Sequence, residues 1–283
     1  MLLFLKASTL ALRPKQWIKN LLLFVAPFTA GTGLSPELTQ VCLGFMAFGL
    51  SASIGYIIND ISDLELDRKH PKKKTRPFAA GEISIKSGIL IAIFSACGIL
   101  LILKELPLKF SLLIVLYLVN TFIYTRFLKK IPVIEMFSVT AGFILRLVAG
   151  AVVIDLGISK WFLIVGGFGA LFVISSKRLS ELKMANSQEI RKVLNSYSSD
   201  FLQASSSISV AVCITAYTLW AFSQYINPIW FQLSIVPFVI ILFRYKWLTE
   251  IGNTEAPEEA ILEDLPIVGL GFCCLLLLGF GIY

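Results

Sequence analysis

Long apolar runs, broken at intervals by proline, glycine and charge, dominate the chain. A bilayer core of about 30 Å takes roughly 20 apolar residues as a helix. Reading for that length yields nine candidate spans: Trp17–Leu34, Leu38–Ile58, Ile85–Leu103, Leu108–Tyr124, Val133–Ile154, Trp161–Ser175, Ser206–Tyr225, Ile229–Phe243 and Leu265–Ile282. Punctuation falls mainly between them, at Ser35-Pro36, Pro107, Pro132, Asn227-Pro228, Pro257 and Pro266. The sixth and eighth are the shortest. No soluble-type repeat or low-complexity tract interrupts the pattern. The expectation is an all-α, polytopic membrane protein: one domain over residues 1–283, built as a bundle of nine transmembrane helices.

Composition agrees. Of 283 residues, 57% are hydrophobic and 15% charged, against roughly 45–50% and 25% in soluble domains, and mean hydropathy is +0.81. A soluble domain, a disordered chain and a fibrous repeat are excluded. Cys42, Cys97, Cys213, Cys273 and Cys274 all lie in apolar stretches, without a C-x-x-C pair and with a single histidine in the chain; a zinc site or disulfide framework is not expected. Arg13, Lys15 and Lys19 follow the short apolar stretch Met1–Leu12 instead of preceding it, so no cleavable signal peptide is expected.

Charge orients the bundle. With the N-terminus in the cytoplasm, 21 of the 25 Lys and Arg residues fall on the cytoplasmic side, three (Lys104, Lys109, Lys160) on the other, and Arg146 within the fifth span. That asymmetry is the positive-inside pattern, and it places the C-terminus outside in a bacterial cytoplasmic membrane. The net charge of +7 is therefore a topology signal with some attraction for anionic membrane lipids, and no nucleic-acid partner is implied.

The unusual polar residues concentrate on the cytoplasmic side, above all from Asn59 to Pro77. On a helix, Asp60, Asp63 and Asp67 fall within an arc of about 60° while Glu65 points away. Crowded carboxylates at a membrane boundary need protonation or a counter-charge. Mg²⁺ suits them, because it binds through one or two carboxylates plus substrate phosphates. Lys72, Lys73, Lys74 and Arg76 follow directly, as a ligand with several phosphates requires. A solvated acidic helix end balanced by a basic loop is the plainer alternative. His70, before Pro71, suits a hydrogen bond to phosphate or a loop-organising role better than metal ligation.

The pattern Asn59-Asp60-x-x-Asp63-x-x-x-Asp67 resembles the N-D-x-x-D-x-x-x-D signature of the UbiA superfamily of intramembrane prenyltransferases. Its continuation, Asp67-Arg68-x-His70-Pro71-x-Lys73-x-x-Arg76-Pro77, is similar to one branch, the decaprenyl-phosphate phosphoribosyltransferases. So are Leu12-Arg13-Pro14-Lys15-Gln16-Trp17-Ile18-Lys19-Asn20, Tyr124-Thr125-x-x-Leu128-Lys129, Gly142-Phe143-Ile144-Leu145-Arg146-x-x-Ala149-Gly150, Lys177-Arg178-x-x-Glu181-Leu182 and Pro257-Glu258-Glu259 with Asp264. One departure is Glu135, where the branch leads one to expect aspartate. Aromatic prenyltransferases of the superfamily carry a second acidic cluster after the sixth span, whereas this chain has Lys177-Arg178 there. Cations in that place suit an acceptor that is itself a phosphate.

The resemblance implies a nine-helix fold opening to the cytoplasm and an Mg²⁺-dependent transfer of 5-phosphoribose from phosphoribosyl pyrophosphate to a polyprenyl phosphate. Asp60, Asp63 and Asp67 would hold the metal. Arg13, Gln16, Lys19, Lys72, Lys73, Lys74 and Arg76 would hold the donor's phosphates, and Lys177 and Arg178 would orient the lipid phosphate. Asn59, Tyr124, Lys129 and Glu181 join the binding set as matched motif positions. Arg146 has three readings: a substrate ligand, a partner of a buried acid, or a snorkelling cation. The acceptor is already an anion, so no strong general base is needed. Two other functions stay open: an aromatic prenyltransferase using a prenyl diphosphate, and a transporter or channel with an acidic mouth. Few buried acids and no inverted repeat count against the last. A homo-oligomer and the polyprenyl chain length stay open as well.

Overall fold

In the computed structural model the described residues are 2–32, 37–69, 73–184, 192–251 and 257–283, and they contain no strand. The α-helices, in order, are α1 (Leu2–Leu12), α2 (Val25–Thr29), α3 (Leu38–Ser62), α4 (Leu64–Lys69), α5 (Ile85–Leu103), α6 (Leu108–Arg126), α7 (Ile134–Val152) and α8 (Lys160–Met184). After these come α9 (Ser199–Phe222), α10 (Pro228–Leu233), α11 (Ile235–Glu250), α12 (Pro257–Glu263) and α13 (Leu265–Ile282). Helices α3, α5, α6, α7, α8, α9, the α10–α11 pair and α13 are long and apolar enough to cross a membrane, eight candidates among the described residues.

The chain divides into two compact units, Met1–Pro27 with Thr32–Leu128 and Leu145–Gly157, and Phe28–Gly31 with Lys129–Ile144 and Ile158–Tyr283.

Four of the nine expected spans are built differently, the seventh by starting at Ser199 instead of Ser206. Trp17–Leu34 is the first; its described part is a 3-10 helix, Pro14–Phe24, followed by the short α2. Pro14 at the first helical position supplies a fixed φ and needs no N–H partner. In a 3-10 helix residues three apart eclipse and the rise is about 2.0 Å per residue, so Trp17, Asn20 and Leu23 share one face. Asn20 and Leu23 are fully buried. The sixth span runs on past Ser175 to Met184. The apolar run stops there but the helix does not: the Ser175 hydroxyl donates to the Leu171 carbonyl within it at 2.7 Å, and the Ser176 hydroxyl meets that of Ser206 on α9. The eighth is interrupted at Ser234 between α10 and α11. There the Ser234 and Tyr217 hydroxyls lie 2.7 Å apart in a buried contact.

In the first unit α3 is the helix on which others pack. Lipid tails supply no hydrophobic drive for helix association, so small residues that permit close approach matter most. Gly49 lies under the Trp17 ring, Gly44 under the Phe110 ring, and Gly55 beside Thr121. Phe48, fully buried, meets Phe110 edge-on at 5.8 Å and Tyr117 at 5.3 Å between centroids. The Trp17 indole N–H donates to the Ser53 hydroxyl at 3.1 Å, which reaches the Leu12 carbonyl at 2.6 Å. These bonds fix α1 and the 3-10 segment against α3. Gly150 of α7 abuts backbone: a Cβ there would stand 2.0 Å from the Leu23 carbonyl oxygen.

In the second unit α8 and α9 pair through small side chains. The Ser176 and Ser206 hydroxyls are 3.2 Å apart, and Gly169 faces the Cys213 sulfur. Asp264 caps α13 by accepting the Ile267 N–H at 3.1 Å. The Arg244 guanidinium, 3.0 Å from the Asp264 carboxylate, holds that carboxyl below the usual range through its hydrogen bonds. The Glu258 side chain lies outside the described residues.

Gly150→Ala should cost about 1–3 kcal/mol, the range for overpacking a filled contact, and lower the melting temperature in detergent. Gly157→Ala, with nothing within 4 Å of the added carbon, should melt with the wild type.

Candidate active site

Asp60 sits in the last turn of α3 and is 2% exposed. Helix α3 ends at Ser62, where Asp63 leaves helical geometry at φ −101°, and α4 resumes at Leu64. The Asp67 N–H still donates to the Asp63 carbonyl at 2.8 Å. The backbone thus keeps roughly the expected register through one bent residue, which returns Asp67, itself buried, to the side of Asp60.

Two arginines close on these carboxylates. Arg13 lies between α1 and the 3-10 segment with φ 51° and ψ 56°, a left-handed conformation that costs energy for a side chain of this kind and tends to occur at functional positions. Its Nη2 donates to both Asp60 oxygens, at 2.6 and 2.7 Å. Its guanidinium lies over the Tyr56 ring at 4.9 Å. Arg76 bridges the pair: one nitrogen, Nη1, is 3.1 Å from Asp60 Oδ1 and 2.6 Å from Asp67 Oδ2. The loop that carries Arg76 is anchored. Its backbone N–H donates to the Lys73 carbonyl at 2.9 Å. Phe78 and Ile83 pack into a cluster with Ala7, Ala11 and Ile57, the Phe78 ring lying over Gly88.

Among the remaining expected donor ligands, Lys19 Nζ donates to Gln16 Oε1 at 2.6 Å on the 3-10 segment. Asn59, Asp63 and Lys73 are half-buried and Lys74 is exposed. Tyr124 is half-buried in the last turn of α6, as is Lys129 in its own unit. His70 and Lys72 lie outside the described residues. Arg146 does not snorkel. It is 5% exposed, its Nε donates to Asn20 Oδ1 at 2.7 Å and its Nη2 to the Tyr117 hydroxyl at 2.9 Å, with the guanidinium 4.6 Å from the Tyr117 ring centroid. Asn20 stood in a matched segment but was not singled out as a ligand, and nothing local in sequence marks Tyr117 as a partner.

A second polar centre lies in the other unit. Arg178 is 3% exposed and Glu135 fully buried. Arg178 Nε and Nη2 donate to Glu135 Oε1 and Oε2, both at 2.7 Å, and Nη1 donates to Glu181 Oε2 at 2.7 Å. Glutamate is long enough to meet Arg178 fork to fork, which gives the Glu135 departure a geometric role. Just before α7, Val133 takes φ 67°, rare for a β-branched residue, and its N–H donates to the Tyr197 hydroxyl at 2.6 Å. Burial pushes the Tyr197 phenol up, and the nearby Glu135 charge adds to this. Lys177 is half-exposed, 4.0 Å from Glu181 Oε1. Arg178 is thus committed to two carboxylates, and Lys177 is the cation of that pair open to solvent.

No group of three acidic, histidine or cysteine side chains among the described residues converges closely enough to hold a metal ion unaided. The expected three-aspartate set is therefore not assembled. The residues fit Mg²⁺ in the other way it binds, through two carboxylates with the remaining positions left to substrate and water. Asp60 and Asp67 both touch a single cationic nitrogen of Arg76, so the space between them already accommodates positive charge.

Residues 20–263 match the UbiA prenyltransferase family. The chain belongs to that family. With its apolar helices it is a multi-pass membrane protein. It is 35% identical over 266 residues to the decaprenyl-phosphate phosphoribosyltransferase of Mycobacterium tuberculosis, covering 90% of this chain and 87% of that one. With the enzyme of the same name from Corynebacterium glutamicum the identity is 36% over 265 residues, 90% and 80% of the two chains. The fold is that of a UbiA homolog from Archaeoglobus fulgidus solved with DMAPP and Mg²⁺, at a TM-score of 0.69 and 18% identity over 97% of both chains.

Removing one partner of a buried ion pair strands the other charge, at about 3–5 kcal/mol. Glu135→Ala should lower stability by that amount in a detergent melt. Glu135→Leu combined with Arg178→Met should recover a substantial part of it.

Proposed function

We propose that the protein transfers 5-phosphoribose from phosphoribosyl pyrophosphate to a polyprenyl phosphate and releases pyrophosphate, on the cytoplasmic face of a bacterial inner membrane. The observation that carries this reading is the pairing of Asp60 and Asp67 with Arg13 and Arg76, a site that offers both carboxylates for a divalent ion and guanidiniums for phosphate. The relatives' names and the cationic Lys177-Arg178 support a phosphate-bearing acceptor. The 21-to-3 distribution of basic residues supports the orientation.

Asp60 and Asp67 would hold Mg²⁺, and Asp63 marks the bend between them. When bound, Mg²⁺ neutralises charge on the pyrophosphate leaving group. Arg13 and Arg76 then bind phosphate oxygens, and their planar forks fix the donor's orientation as well as its charge. Gln16, Lys19, Lys73 and Lys74 extend the anion-binding surface. The anomeric carbon becomes oxocarbenium-like as pyrophosphate leaves, and a lipid phosphate oxygen attacks from the opposite side, so an α donor gives a β product. The nucleophile is an anion at neutral pH, which removes the need for a general base. In the other unit Lys177 is the cation assigned to the lipid phosphate. Arg178 is a positioning residue that holds Glu181 and α7 in place.

Membranes carrying the protein should move label from phosphoribosyl pyrophosphate into the lipid phase when a polyprenyl phosphate is supplied. Label from a prenyl diphosphate should not pass to an aromatic acceptor. Asp60→Asn should lower transfer by about 10²–10³-fold, the scale on which removing one preorganised electrostatic contact acts, with the protein still eluting as folded. Near-normal turnover in Asp60→Asn, or label only from the prenyl diphosphate, would contradict the reading.

A further inference from the structure

The contacts around Asp60 leave neither of its oxygens to solvent. Arg13 Nη2 takes both, and Arg76 Nη1 takes Oδ1 again while also reaching Asp67. The carboxylates are buried at 2% and 4% exposure, whereas the Arg13 and Arg76 side chains are 24% and 27% exposed. The acids are fixed in the bundle and the cations reach in from its rim on long stems. The two guanidiniums together carry the charge of one divalent ion. A buried carboxylate stripped of its counter-charge is strongly unfavourable, so whichever cation leaves must be replaced as it goes.

We propose that Arg13 and Arg76 are exchangeable stand-in cations: they hold Asp60 and Asp67 until the donor arrives, and they transfer to its phosphates as the divalent ion takes the carboxylates. The proposal rests on the metal-and-phosphate reading of the site and adds an order to it. A divalent ion alone must displace two guanidiniums into water and so binds weakly. A divalent ion that comes with pyrophosphate gives the displaced guanidiniums new oxygen partners in the same step, and binds well. Ion and pyrophosphate are then positively coupled, and by linkage each raises the affinity of the other by the same factor. No covalent bond is made or broken in the exchange, and the charge of the buried cluster stays constant throughout. Arginine is better suited than lysine, because one planar group can serve a carboxylate and later a phosphate with the same fork.

The test is Mn²⁺ binding to the purified full-length protein in detergent, by electron paramagnetic resonance, with and without inorganic pyrophosphate and without any turnover. Wild type should bind Mn²⁺ alone weakly, and more tightly by about tenfold or more with pyrophosphate, within the usual range of coupling between sites. Arg76→Gln and Arg13→Gln should each bind Mn²⁺ alone more tightly than wild type and lose most of the coupling to pyrophosphate. Mn²⁺ alone should also raise their melting temperatures by more than it raises that of wild type, a readout available even if one variant is less stable. If both variants bind Mn²⁺ alone no better than wild type, the exchange is overturned, while loss of pyrophosphate-supported binding in Asp60→Asn would leave the metal assignment standing. If Asp60→Asn binds Mn²⁺ and pyrophosphate as wild type does, the metal assignment and the exchange fall together.

Discussion

Buried carboxylates at the end of a membrane helix require a counter-charge, and that requirement organises the first unit. Asp60 is nearly inaccessible and is met from two directions, by Arg13 from the chain before α3 and by Arg76 from the loop after α4. To bring Arg13 there, the chain turns through a left-handed residue and continues as a 3-10 helix, seated by Trp17 on Gly49 and by Leu23 on Gly150. To bring Arg76 there, the loop is pinned by Phe78 and Ile83 on the α1–α3 cluster. Packing, backbone strain and electrostatics serve the same placement.

The second unit solves a related problem differently. Inside it Arg178 pairs with Glu135 through two hydrogen bonds and with Glu181 through a third, and Lys177, 4.0 Å from Glu181, brings the second positive charge. Such a group is a fixed scaffold, because breaking it strands a charge. The arginines around Asp60 are more exposed and share their partners, as groups that exchange ligands must. Two buried arginine–carboxylate clusters in one chain therefore have different characters, read from exposure and saturation alone.

Much of this was legible in the residue pattern. Ile85–Leu103 and Leu265–Ile282 were read to the residue, because capping residues and uninterrupted apolar runs coincide there: Ser84 accepts the Ser87 N–H and Asp264 that of Ile267. The failures have physical causes. The 3-10 segment has a period of three that a count of apolar residues does not register. Helix α8 outlasts its apolar run where Ser175 bonds back to its own helix and Ser176 to α9, and α10–α11 breaks where a side-chain hydroxyl pair intervenes. At the site, spacing put Asp60 and Asp67 on one side, where the structure joins both to Arg76. The bond from Arg13 to Asp60 spans 47 positions, and that between Arg146 and Asn20 spans 126. No local pattern encodes such pairings. Lys177-Arg178 looked like one cationic pair, yet burial separates them into a half-exposed cation and a buried one.

The proposed reaction is direct displacement of pyrophosphate from an anionic sugar donor by an anionic lipid. Proton and phosphorus magnetic resonance of the lipid product made by the purified protein from phosphoribosyl pyrophosphate and a polyprenyl phosphate tests it most directly. The account predicts a single 5-phosphoribosyl group joined through its anomeric carbon to the lipid phosphate in the β configuration. An α linkage, or a lipid product that carries no phosphoribose, would contradict it.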